Sequence, residues 1–244
     1  MKRSVSYKLL PWPIILSGCI VLVLRFALYT MENQSSLLPA RHPLYLVALL
    51  LAAVTGLVLA AFVLQLKGAN TYESNFPFSR PRAQGSFLAG LLMFPMATGI
   101  YATAATTLEL IWAALATGAA ICFIASGYLQ LKGEKPHFLL YAVICLFYVC
   151  HMVCSYQTWS GNPQVEDYIF SLFACIFLSL FAYQKSAFSV HMGSRQMLIF
   201  SGLMATFFCI AALAGVDHSR FFAASGIWAI SNLCRMDPPH EQEG

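Results

Sequence analysis

Cys150, His151 and Cys154 fall within little more than one helical turn of an apolar stretch, PHFLLYAVICLFYVCHMVCSYQTW, residues 136–159. At about 100° per residue the three side chains share one patch of a helix. Two soft thiols and an imidazole suit Zn2+ or Cu(I), and an imidazole can also carry a proton near neutral pH. Structural metal sites bring a second pair of ligands from elsewhere in the chain. Here His42, His137, His191, His218 and His240 all lie at span ends or beyond them. A metal at Cys150, His151 and Cys154 therefore has little behind it, and no cofactor is implied. A core histidine beside two space-filling cysteines is the plainer account, and proton coupling through His151 is the functional one.

An ionisable side chain at the centre of a bilayer costs about 2.5–3.5 kcal/mol, so each one in a span asks for a role. Arg25 lies in the outer half of the first span, near enough to its end for the guanidinium to reach the interface. Glu109 and Asp167 stand close to the starts of the fourth and sixth spans on that same side, with Glu166 beside Asp167. Acidic residues at such starts also suit the helix dipole. If Arg25, Glu109, His151 and Asp167 converge, they form a ligand or proton-coupling site in the outer half. The arginine would lock to a carboxylate or receive an anionic ligand, and the carboxylates would line a vestibule for a cation or amine.

No catalytic set is expected. The chain has no HExxH, no Gly-x-Ser-x-Gly, no Walker glycine loop and no nucleotide fingerprint, and no basic–aromatic patch for nucleic acid. A small transporter, or the membrane subunit of one, is the leading expectation. The alternative is a non-enzymatic accessory, sensor or scaffold protein; an intramembrane metal or thiol enzyme ranks below both. Expected partners are the lipid bilayer and a membrane protein or a second copy of the chain.

The elements that must position these residues follow from composition. The chain has 244 residues, 59% hydrophobic and 10% charged, against about 25% charged in soluble domains. So little charge leaves no polar coat for water, and lipid must be the solvent. The eight cysteines all lie in apolar segments, where they act as small hydrophobes. An all-α bundle of about eight spans is expected, in a single domain over residues 1–244. The spans are residues 9–31, 42–66, 84–103, 108–131, 136–159, 165–184, 196–215 and 220–233, followed by a short disordered tail, 238–244. The eighth span is short and small-residue rich, so seven crossings are the alternative. Pro11 and Pro13 sit in the first turn of span 1, where a missing N–H is harmless.

Orientation follows from the short loops. With the N-terminus in the cytoplasm, Lys2, Arg3, Lys8, Lys67, Arg80, Arg82, Lys132, Lys135, Lys185, Arg195 and Arg235 fall inside, and Arg41 and Arg220 fall outside. A bacterial cytoplasmic membrane is the expected location. The loop of residues 67–83, with Arg80-Pro81-Arg82, is read as a positive-inside loop. Pro95 should kink the third span, and Thr98, Gly99, Thr103, Thr106 and Thr107 around it would then line a polar cavity. Small residues in spans 2, 4 and 8, among them Gly56, Gly118 and Gly226, should let helices approach closely. Spans 2, 4 and 6 end on Gln65-Leu66-Lys67, Gln130-Leu131-Lys132 and Gln184-Lys185, which suggests four tandem helical hairpins of common origin.

Overall fold

Backbone amides in hydrocarbon have no water to bond, so a long apolar run satisfies them within itself as a helix. Nine helices form among the described residues: α1 (Pro11–Gln34), α2 (Pro43–Leu64), α3 (Tyr72–Asn75), α4 (Arg80–Thr103), α5 (Thr107–Leu131), α6 (Phe138–Trp159), α7 (Ile169–Ser189), α8 (Arg195–Ala212) and α9 (Ser219–Leu233). The structure, a computed structural model, describes residues 10–34, 43–66, 72–76, 78–159, 168–214 and 219–233. Arg41, Lys67, Glu166, Asp167, Arg235 and the tail lie outside these segments. Helices α1, α2 and α4 to α8 are each long and apolar enough to cross a bilayer. The chain is thus an all-helical, multi-pass membrane protein.

The short α9 is the exception. It has 15 residues, about 22 Å of helix against about 30 Å of hydrocarbon. Most of it meets protein: Phe221, Phe222, Ser225, Trp228, Ala229 and Asn232 are all buried.

Helix α4 packs on α5 and α9, α5 on α6, α6 on α7, α7 on α8, and α8 on α9. Six helices therefore close on themselves, and the α1–α2 hairpin leans against α8 from outside. Aromatic rings fill the middle. Trp228 of α9 meets Phe123 of α5, Tyr148 of α6 and Phe181 of α7 at ring distances of 5.1, 6.3 and 4.9 Å. All four side chains are fully buried.

Contacts at one end of the bundle fix the helix directions. Gln196, at the start of α8, donates to the Leu66 carbonyl beyond the end of α2 at 3.0 Å. Ser186, late in α7, donates to the Phe138 carbonyl that opens α6. Lys185 of α7 donates to Asn232, near the end of α9. Alternate helices thus run in opposite directions, and α9 returns to the end where α4, α6 and α8 begin.

Helix boundaries follow local signals. Thr106 and Glu109 form a capping box at the start of α5, satisfying two backbone donors reciprocally. Gly133 closes that helix with φ +76°, a conformation natural to glycine. Three expectations need correcting. Helix α4 begins at Arg80, ahead of the expected 84, and the loop before it holds the turn α3. Helix α7 is displaced along the chain from the expected 165–184 to 169–189, which draws Lys185 inside it. The polar cavity expected around Pro95, which lies inside α4, is not lined as expected: Thr98, Gly99, Thr103, Thr106 and Thr107 are all exposed.

Close approach comes partly from residues the sequence reading passed over. A Cβ on Gly127 of α5 would stand 2.8 Å from the Ala83 carbonyl oxygen of α4, and one on Gly90 2.9 Å from that of Ala120. Gly56, Gly118 and Gly226 also face neighbouring helices, with more room. The three Gln-containing helix ends meet three different environments: Gln65 is exposed, Gln130 donates to Tyr141, and Gln184 accepts from the Ser194 amide. Gly127→Leu should force α4 and α5 apart and cost about 1–3 kcal/mol, read as a lower thermal midpoint in detergent. Gly99→Leu, which meets nothing within 4 Å, should leave that midpoint where it is.

Candidate functional site

The outer-half residues separate into different places. Arg25 of α1 is buried, donates to the Ala211 carbonyl of α8 and lies over the Phe170 ring of α7, 4.9 Å from its centroid. It ties three helices together. His151 of α6 is fully buried among Trp112, Phe147, Phe221 and Phe222, with ring centroids at 5.1, 6.4, 4.1 and 6.4 Å. Glu109 accepts from the amides of Ala105 and Thr106 at 2.7 and 3.1 Å. Its carboxylate thus turns back onto its own helix start. Asp167 lies outside the described residues. The Cys150 and Cys154 sulfurs stand 4.0 Å apart, and among the described residues no three His, Cys, Asp or Glu side chains are grouped to hold a metal ion.

The densest buried polarity is at the opposite end, where α4, α6 and α8 begin. Arg82 and Lys185, which the charge count treats as interfacial cations, are 2% and 0% exposed. Lys185 donates to Asn232 Oδ1 at 2.8 Å. Its ammonium also lies 3.9 Å from the Phe76 ring centroid and 5.2 Å from that of Tyr141. The Arg82 guanidinium lies over the same Phe76 ring, 5.1 Å from its centroid. Arg82 is close enough to Lys185 to act on it electrostatically. The partners of Lys185 among the described residues are an amide, two rings and another cation; none is a carboxylate.

A polar floor surrounds this pair. Gln130 donates from Nε2 to the Tyr141 hydroxyl at 3.1 Å, and the Tyr141 and Tyr72 hydroxyls are bonded to each other. Gln130 Oε1, Ser79 Oγ and Ser86 Oγ are buried without a hydrogen-bond partner. Ser79 and Ser86 sit three residues before and four after Arg82, so all three share one face of the chain entering and opening α4. Turn α3 closes the group from below: Tyr72 meets Phe76 at 5.0 Å, and Phe76 meets Phe188 of α7 edge-on at 5.6 Å.

The sequence signals for this site were present but ambiguous. Lys185 follows Gln184 at a helix end predicted five residues too early, and Arg82 sits in a Pro-bracketed basic loop. Asn232 was the clearest clue, a lone amide in an otherwise apolar span. The chain matches no known protein family, no curated protein and no solved structure.

Two measurements probe the geometry. Asn232→Leu leaves the Lys185 ammonium without its acceptor and should cost about 1–3 kcal/mol of stability, while Lys185→Met in the same chain should recover most of it. A Lys185→Met variant as unstable as Asn232→Leu would make the charge itself structural. Tyr72 lies outside the spans, and burial lifts its phenol from 10.0 to about 12, with the Arg82 charge opposing the rise. The neutral phenol's contribution is complete below pH 10.0 and is lost as pH climbs to about 12. Tyr72→Phe should flatten that alkaline decline in a stability series against pH.

Proposed function

We propose that this integral membrane protein binds an anion at its cation-rich end and carries it across the bilayer. The observation behind the reading is Lys185, wholly buried beside Arg82 with no carboxylate among its described partners. A buried charge is costly unless it is paired and hydrogen-bonded. The Phe76 ring supplies part of what is missing, as a cation–π contact worth about 0.5–2 kcal/mol. Charge-assisted bonds from an anion are stronger, so a suitable anion would displace α3 from the ammonium and take its place. The positive-inside rule assigns this end to the cytoplasm. The transport site thereby moves from the outer half, where the sequence suggested it, to the inner end.

The accessory or scaffold reading keeps one observation in its favour. The Trp228, Phe123, Tyr148 and Phe181 rings fill the middle of the six-helix ring, so a solute has no ready way through without a rearrangement.

Proteoliposomes loaded with radiolabelled phosphate or sulfate separate the two. Transport predicts counterflow that Lys185→Gln and Arg82→Gln abolish. Phe76→Ala should instead tighten anion binding several-fold, because its ring no longer competes. Anion binding without flux would favour the accessory reading, with co-purification of a stoichiometric partner from mild detergent as its positive sign. If neither flux nor anion-dependent stabilisation is seen, the anion reading fails.

A further inference from the structure

We infer that anion binding at the inner end is linked to proton uptake by His191, which turns its hydrogen bond with Lys135 into a pair of cations at the mouth of the site. The inference rests on the reading that Lys185 holds an anion, and adds how that binding is controlled. The Lys135 Nζ and His191 Nε2 atoms stand 3.4 Å apart, and both residues are exposed. The contact joins the connection between α5 and α6 to the turn that follows α7, 56 residues away. It also lies beside the inner site. Lys135 Nζ is 5.4 Å from the Tyr72 ring centroid, Tyr72 meets Phe76 at 5.0 Å, and the Phe76 centroid is 3.9 Å from the Lys185 ammonium. Two rings of the α3 segment thus separate the exposed cation from the buried one.

The backbone makes His191 an unusual occupant of its position. The Met192 amide donates to the Ala187 carbonyl at 2.9 Å, and the His191 amide to that of Phe188 at 3.2 Å. This is the Schellman arrangement that ends a helix. It places His191 in the left-handed region, with φ +62°, where glycine is the usual residue. A side chain is carried where the backbone disfavours one, and its ring reaches Lys135. An ammonium can only donate, so the imidazole accepts at Nε2 and is neutral in this contact. An imidazole takes up its second proton between about pH 5 and 8. Donor then faces donor, and two like charges repel. An anion that bridges them relieves the repulsion, so anion and proton each favour the other's binding. The other ionisable groups of the surrounding elements are set differently. Lys132 lies over the Tyr128 ring at 4.6 Å, with Glu134 close enough to act on it. His137 Nδ1 accepts from the Leu139 amide at 3.3 Å, and Arg195, which opens α8, is buried.

Titration calorimetry with sulfate on the full chain in detergent tests this. Sulfate keeps its two negative charges across the range, whereas phosphate changes charge at about pH 6. Binding should be about fivefold tighter at about pH 5.5 than at about pH 8, the low end for coupled sites, because exposed charges are screened. Repeating the titration midway between those values, in buffers of different ionisation enthalpy, should show net proton uptake. Glycine suits the left-handed turn, so His191→Gly should fold, and its affinity for sulfate should not vary with pH. His137→Asn, on the neighbouring connection, should keep the fivefold change. Equal affinity at both pH values in the unaltered chain overturns the inference and leaves the anion reading standing. A pH dependence that survives His191→Gly, or that is lost in His137→Asn, does the same. No sulfate binding at either pH removes both.

Discussion

One hydrogen bond, from Lys185 Nζ to Asn232 Oδ1, joins the last helix to the charged end of the bundle, and much of the interior depends on it. Helix α9 is too short to be anchored by lipid along its length. Its position is set by what it meets inside: Asn232 at Lys185, Trp228 among three rings, Ser225 at the Tyr148 hydroxyl 3.2 Å away, and Phe221 against His151. These contacts descend the helix in regular steps, so a shift at one displaces the rest. Because α9 bridges α4 and α8, its register also decides whether the six helices close. The cation that marks the site is thus also a fastening of the fold.

The interior is divided by polarity along its axis. One end holds His151 inside an aromatic cage, the middle is almost entirely rings, and the other end collects two cations with amides and hydroxyls. Hydrocarbon favours this segregation. Rings need no partners and tolerate the centre, while Arg82 and Lys185 lie near helix ends, a short distance from water. Glu109 is spent on the capping box of α5, at the other end of the bundle, and the partners of Lys185 among the described residues include no carboxylate. Charge neutrality around Lys185 has to come from outside the described chain or be replaced by ring faces, as with Phe76.

Composition alone was enough to read the solvent, the helices and the approximate span limits, because twenty apolar residues in a row admit one structure in lipid. Glu109 as an acidic residue at a helix start, and Gly56, Gly118 and Gly226 as contact residues, were also legible from local position. The inner site was not. Counting Lys and Arg for orientation treats every loop cation as equivalent, and it gives no sign that Arg82 and Lys185 turn inward while Arg80 and Lys132 remain exposed. That distinction depends on where α4 and α7 begin and end, the quantity sequence periodicity fixes least well. The Arg25–Glu109–His151–Asp167 grouping was drawn from side of the membrane alone. Which helices are neighbours is a property of the closed ring, and the ring sets Arg25 between α7 and α8 while His151 faces α5 and α9.

The unequal lengths of adjacent helices have a consequence for the surrounding membrane. Helix α5 extends about 37 Å and α9 about 22 Å, yet both flank α4. Helix α9 shows the bilayer almost nothing, since Arg220 alone of its residues is exposed. Lipid on that side therefore meets the longer neighbours of α9, and the cost of mismatch is set by the helices that face lipid. A helix too short to span can thus sit inside the bundle without thinning the membrane around it.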